Sequence, residues 1–479
     1  MKGPVRIVGL GPAGLDRVPE AIRTLLSDAA TPVVGRTQHH QAATDLDAIR
    51  PVIWCDDLYE ACDTFDDVYE AIVARVLDLA SAGPVTYVVP GSAVVGERTA
   101  AVLRDRTDQM GIPCEVMAGE SFLDLALEKA RIDPFDGGVQ IIDAHRFPEP
   151  LLLHLPTLIV QFDGPEAFTR VHERLSRLLE ADTSLTVLTD LGSESESVVQ
   201  VALGDLRPEH AGLRVTLAFD VEAPGWPGLV RINARLRREC PWDREQTHHS
   251  LARHLLEEAY ETLDAIDALP LDAPTGSPDV DGYLHLEEEL GDLLLQVVFH
   301  ATLAAETDVF GIEEVAETVR RKLIRRHPHV FGDADATTAD EVLTNWEAQK
   351  RDEKGRSSVL DGVPSALPSL TRALEFQSRA ASIGFDWPDH DGAVSKVREE
   401  LAEVLDALGD PEAVQSEVGD LLFSVVNLAR HLDVDPELAL RGAANRFDGR
   451  FRVVEGGGGL PGVTLEELDK RWDEAKRVE

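Results

Sequence analysis

The hydrophobic pattern changes character once along the chain. From residue 1 to about 222, short β-branched runs alternate with stretches of helical period. Strands are predicted at 5–8, 85–89, 140–142, 158–162, 185–188 and 213–219, with helices such as 68–80 and 168–179 between them. Such alternation marks an α/β domain, because each helix must bury its apolar stripe against a sheet. The turn-rich segment APGWP at 223–227 closes this region. Beyond it nearly every apolar position recurs at 3.6 residues, which predicts an all-helical second half. Residues 356–368, punctuated by Gly362, Pro364 and Pro368, read as a linker within that half. The expected fold class is multidomain, with an α/β domain over 1–222 followed by two all-α helical modules over 226–356 and 366–479.

The two modules follow from an internal repeat. LEEAYETLDA from Leu256 is nearly copied by REELAEVLDA from Arg398, and ELGDLLLQVVFHA from Glu289 by EVGDLLFSVVNLA from Glu417, in the same order. Lys322 and Arg326 match Arg446 and Arg450 in spacing, and each copy closes on a tryptophan, Trp346 or Trp472. Matching order over four separate segments, with a shorter connection from Glu403 to Glu417 than from Glu261 to Glu289, means that one helical unit was duplicated.

The repeat carries acids in a fixed arrangement. Glu258 and Glu261 stand one turn apart and project from one helix face, as do Glu289 and Asp292 on the next helix. If the two helices pack antiparallel, Leu255, Ala259, Leu290 and Leu293 are expected to bury the seam while four carboxylates converge. Glu400, Glu403, Glu417 and Asp420 repeat the pattern. Converging anions repel unless a hard cation sits among them, which points to magnesium, with manganese suited to the same oxygens. A merely solvated acidic face is the competing reading. It does not account for the aspartate of ExGD recurring inside an apolar run, where an unpaired carboxylate is costly.

Charge narrows the partners. Of 479 residues, 46 are basic and 87 acidic, for a net charge of -41, which repels polyanions and argues against nucleic-acid binding. A phosphate ligand therefore needs a bound cation or a local basic cluster. Lys322, Arg325 and Arg326 would serve one copy, and Lys396, Arg446 and Arg450 the other. Pairing with surface acids is the alternative for these bases, and Trp346 and Trp472 are open to either base stacking or packing. Four cysteines without zinc-type spacing, no signal-like N-terminus and no membrane-length apolar run are consistent with a cytoplasmic protein that binds no membrane.

EExxE followed by ExxD on paired helices resembles the MazG family of nucleoside triphosphate pyrophosphohydrolases. CPWDREQT at 240–247, KLIRRHPHVF at 322–331 and WEAQK from Trp346 extend the likeness. The resemblance implies magnesium-dependent hydrolysis of nucleoside triphosphates to monophosphate and pyrophosphate, a nucleotide-pool house-cleaning activity. It implies metal ligation by Glu258, Glu261, Glu289 and Asp292, and by Glu400, Glu403, Glu417 and Asp420. Glu257 and Glu399, which precede these ligands, would orient ligands or water. A homodimer through the helical modules is also implied, each two-helix unit completing a four-helix arrangement with another copy.

The first domain opens with GLGPAG at 9–14 after a predicted strand. GxGxxG admits a tight turn or a nicotinamide-binding unit, but Pro12 interrupts the loop and no strand ending in an acid follows about 20 residues on. With YVVPGSA at 87–93, the region resembles the tetrapyrrole (corrin/porphyrin) methylases, and the domain order resembles YabN-type fusions of such a methylase with MazG. This implies S-adenosylmethionine binding near Gly9, Gly11, Pro12, Gly14, Pro90, Gly91 and Ser92. The alternative function is then a methyltransferase acting on a tetrapyrrole-like substrate, with the helical half as accessory or dimerisation module. A non-catalytic assembly role for the duplicated helices is a third reading, disfavoured by intact acids in both copies.

Overall fold

The structure, a computed structural model, describes residues 3–270, 272–332, 338, 358–456 and 463–478. These form two compact units, Met1–Val315 and Ala316–Glu479.

The first unit begins with a parallel sheet of β1 (Val5–Gly9), β2 (Val33–Gly35), β3 (Ile53–Trp54), β4 (Val85–Val89) and β5 (Cys114–Met117), in the order β3-β2-β4-β1-β5. Its central strands are apolar at nearly every position because helices such as Phe65–Ala82 cover the sheet, and Val5, Ile7, Val85 and Tyr87 are fully buried. A second, mixed sheet follows, built from β6 (Gln140–Asp143), β7 (Thr157–Val160), β8 (Ser184–Thr189), β9 (Ser197–Ala202) and β10 (Val215–Phe219), in the order β6-β7-β10-β8-β9. Its core packs against Pro165–Leu175.

All six predicted strands are present. The last starts at Val215 instead of 213 because Arg214 sits at φ 63, a left-handed conformation that no strand continues through. Four strands lay outside the pattern. β2, β3 and β5 are too short to show a period, and β9 is an exposed edge of mixed polarity.

The helical half begins within the same unit as α1 (Gly225–Glu239), α2 (His248–Ala268) and α3 (Val280–Ala305), followed by α4 (Ile312–Arg326). Thr247 caps α2 reciprocally with Ser250 and Asp279 caps α3, fixing where both acid-bearing helices start. Leu251 packs with Phe299 and Leu303 at one end of the pair, while at the other Thr262 Oγ1 lies 3.3 Å from the Glu289 carbonyl, so the helices run antiparallel as expected. The residues expected to fill the seam do not all do so. Small Thr262 and Ala265 occupy it, allowing close approach, whereas Leu255 and Leu290 are 37% and 47% exposed and point elsewhere. One neighbouring helix covers only one stripe of a helix with apolar positions on two faces.

The second unit holds α5 (Ser369–Ala381), α6 (His390–Asp406), α7 (Pro411–His431), α8 (Pro436–Gly456) and α9 (Leu465–Val478). α6 and α7 pack as the counterpart of α2 and α3, and α5 packs across α7. Among the described residues no helix is long and apolar enough to cross a membrane.

Candidate active site

The one-turn spacing of Glu417 and Asp420 puts both carboxylates on the α7 face turned to α6, where Glu400 meets them. One oxygen from each of the three lies within 4.8 Å of the others. Glu400 is 4% exposed. One of its oxygens is 2.6 Å from Lys396 Nζ, and the other is buried without a hydrogen-bond partner among the described residues. Glu403 stands beside this triad and not in it. Desolvation and then the charge of Glu400 raise its pKa. Glu399 points out to Lys396, 2.8 Å away, and the two acids together hold that ammonium above its ordinary range.

The first copy gathers Glu258, Glu289 and Asp292 in the same way, again within 4.8 Å. Burial, then the charges of Asp292 and Glu261, push the Glu258 carboxyl up. Glu261 acts on Glu258 through its charge, as Glu400 does on Glu403. Glu257 lies 3.4 Å from His254, which occupies the place of Lys396. Of each predicted quartet, then, three acids converge on one point, and Glu261 or Glu403 stands outside that convergence.

Beside the second triad opens a cavity of about 720 Å³, with Glu400 and Asp420 on its polar side and Phe376, Phe385, Trp387 and Phe423 among its walls. Arg430 reaches it from α7, gripped by Asp386 at 2.9 Å and by Asn427 Oδ1 at 2.9 and 3.1 Å. The register of the repeat puts Phe299, Thr302 and Leu303 where α7 has Asn427, Arg430 and His431. Phe299 and Leu303 are buried with Leu251, so core fills that region in the first copy. Sequence reading missed Asn427, Arg430, Asp386 and Gln377. For Asn427 and Arg430 the available signal was this contrast, with Asn427 and His431 in one copy against Phe299 and Leu303 in the other.

The predicted phosphate-binding bases are spread more widely. Lys322, Arg325 and Arg326 occupy the end of α4, in the unit that begins at Ala316. Arg446 and Arg450 lie on α8 and Trp472 on α9, none of them lining the cavity. The Trp472 ring packs 5.2 Å from Phe447, with Arg450 and Lys476 each 5.9 Å from its centroid. Trp346 lies outside the described residues.

In the N-terminal domain the glycine turns meet at the C-terminal ends of adjacent strands β1 and β4. Gly11 N donates to Gly91 O at 3.0 Å and Gly91 N to Gly11 O at 2.8 Å. Both glycines have positive φ, 76 and 65, and a Cβ on Gly9 would come 2.0 Å from the Ala118 carbonyl. Ser92 is buried beside this junction, while Pro12 and Pro90 are half-buried around it and Gly14 leads into a short 3-10 turn.

Residues 246–331 match the MazG nucleotide pyrophosphohydrolase domain, and residues 4–207 the tetrapyrrole (corrin/porphyrin) methylases. The chain is 34% identical to the uncharacterized protein YabN of Bacillus subtilis, across 100% of this chain and 99% of that one. It is 44% identical to the nucleoside triphosphate pyrophosphohydrolase/pyrophosphatase MazG of Thermotoga maritima over 52% of this chain and 94% of that protein. Against the nucleoside triphosphate pyrophosphohydrolase of Escherichia coli K12 the identity is 43%, over 52% of this chain and 97% of that one. The solved structure of the methyltransferase CobJ covers 46% of this chain and 95% of its own at 20% identity, with a TM-score of 0.35. The chain belongs to the MazG family, in the methylase-first arrangement it shares with YabN.

Proposed function

We propose that the helical half hydrolyses nucleoside triphosphates to monophosphate and pyrophosphate with the help of magnesium, and that the second copy performs the turnover. The observation that carries this reading is Glu400. A buried carboxylate with one oxygen unpartnered, facing two further acids, is a site that a hard cation completes. An all-oxygen donor set suits magnesium or manganese and not zinc. When bound, such a cation would neutralise phosphate charge and make a water more acidic. Glu400, Glu417 and Asp420 would hold it with Glu403 beside them, Lys396 would fix the orientation of Glu400, and the aromatic cavity would take the nucleoside. Arg446, Arg450 and Trp472, and in the first copy Lys322, Arg325, Arg326 and Trp346, remain the proposed substrate-binding groups. Glu258, Glu261, Glu289 and Asp292 are proposed as a second metal site, in a copy where Phe299 and Leu303 pack with Leu251. Cytoplasmic nucleotide-pool clearance and dimerisation through the modules 226–356 and 366–479 belong to the same proposal. Incubation of the protein with each nucleoside triphosphate and magnesium, with separation of products, tests it. Monophosphate plus pyrophosphate is expected. Diphosphate plus phosphate would mean that a different phosphorus is attacked and the reading is wrong.

For the N-terminal domain we propose S-adenosylmethionine as ligand, held near Gly9, Gly11, Gly91 and Ser92. Glycine turns at the C-terminal ends of adjacent parallel strands are where open α/β sheets bind ligands, and the match to the methylase family supports it. Equilibrium dialysis against labelled S-adenosylmethionine decides this, and a Gly91→Val variant that binds as well as the native protein would refute the location.

A further inference from the structure

Gln377 lines the second copy's cavity and has no part in the chemistry above. It is 8% exposed. Its Nε2 donates to the Phe423 carbonyl at 2.8 Å. A carbonyl only accepts, so this bond fixes which end of the amide is which. Oε1 is left as an acceptor, buried and without a hydrogen-bond partner among the described residues. Such an atom is costly until a donor reaches it. Asn427, in the same cavity, is fixed in the opposite sense. Its Oδ1 accepts from Arg430 Nε and Nη2, which leaves Nδ2 as the donor it can offer a ligand. Between them these two amides therefore offer the cavity one acceptor and one donor.

We propose that Gln377 and Asn427 form the base-reading pair of the second copy. Gln377 Oε1 accepts an N–H from the edge of a nucleobase, Asn427 Nδ2 donates to the neighbouring ring nitrogen or carbonyl, and the aromatic walls hold the ring faces. Arg430 and Asp386 are positioning residues in this scheme, since they orient Asn427 without touching the base. The first copy has Phe299 in place of Asn427 and so lacks the pair. This inference rests on the nucleoside triphosphate reading and adds the determinant of base preference.

The test measures kcat and KM of the full-length protein with magnesium for ATP, GTP, CTP, UTP and inorganic tripolyphosphate, which has no base. Gln377→Met keeps the length of the side chain and removes the acceptor. Asn427→Asp keeps a partner for Arg430 and turns the donor into an acceptor. For the preferred nucleotide, Gln377→Met is expected to raise KM about tenfold or more with much less effect on kcat, and the preference over tripolyphosphate should shrink by the same factor. Asn427→Asp is expected to reorder the four nucleotides. Equal KM increases for nucleotide and tripolyphosphate would overturn the inference, because the effect would then be structural. Unchanged base preference in both variants would overturn it too, since a water would then satisfy Oε1. If circular dichroism shows that Gln377→Met does not fold, the order of preference in Asn427→Asp decides alone. A native protein that turns over none of the four nucleotides removes the hydrolase reading and this one together, whereas turnover with unaltered preference in the variants removes only this one.

Discussion

Asp292 and Asp420 stand at equivalent positions of a duplicated helix, yet their surroundings make them unequal. Asp420 borders an open cavity and faces a buried Glu400 that lacks a partner for one oxygen. Asp292 lies in a copy whose corresponding region is packed with Phe299 and Leu303. Replacing Asp420 by Asn removes one charge from the triad and should lower kcat at least about 100-fold, a loss of several kcal/mol of charge stabilisation. Asp292→Asn should change kcat by no more than about twofold. Steady-state kinetics on the two single variants, with helicity checked by circular dichroism, measures this, and a larger loss in Asp292→Asn would put turnover in the first copy. The acids were legible in the sequence because duplication separated them from the many solvated acids of a chain with net charge -41. Gln377 and Asp386 were not legible, since a single amide or acid near a helix end has no pattern, and only burial and hydrogen-bond accounting distinguish it.

Elements in the second unit are tied together by a polar clamp as well as by packing. Asp386, in the segment before α6, receives Arg430 and His431 from the C-terminal end of α7. The hydrogen-bonded Arg430 guanidinium holds the Asp386 carboxyl below its ordinary value, outweighing desolvation. A carboxyl whose pKa is depressed by folding adds stability above its unfolded value of about 3.9, and loses that contribution as pH falls through the folded value. The stability difference between the native protein and Asp386→Asn should therefore be constant above about pH 5 and shrink below about pH 4. Urea unfolding followed across that range checks it, and a difference that grows on acidification would reverse the assignment. At this scale the long helices and central strands were readable from their periods. The seam between α2 and α3 was misread, because a helix apolar on two faces does not say which face its partner in the chain will take. Small Thr262 and Ala265 took it, and the leucines were left outside.

Those leucines bear on the assembly of the whole molecule. Leu290, Leu294 and Val297 form a stripe at i, i+4 and i+7 on α3, and Val418, Leu422 and Val425 form the same stripe on α7. All six are at least 36% exposed, with the least exposed, Leu294, at that value. On α6, Leu401 and Leu405 are also exposed, as is Leu408 in the turn that follows. Contiguous apolar surface on a two-helix pair is what a four-helix arrangement buries, and a chain this acidic would otherwise gain solubility by placing charge there. The same stripe in both copies also means that duplication preserved it along with the acids. We therefore expect a dimer in solution, which light scattering coupled to size exclusion would detect as twice the mass of 52.3 kDa. Leu401→Glu combined with Leu422→Glu places like charges in the proposed interface and should yield monomers, with nucleotide turnover falling in parallel if the site needs a paired module for rigidity. First and second copies of one chain present equivalent stripes, so copies from two chains compete with copies from the same chain for each face. Crosslinking between cysteines introduced at Leu294 and Leu422 separates the two cases. Bridged products at twice the chain mass indicate exchange between chains, and bridged products at single mass indicate closure within one. A native protein that scatters as a monomer at micromolar concentration, with no crosslink of either kind, would leave these stripes without a partner and end the dimer proposal.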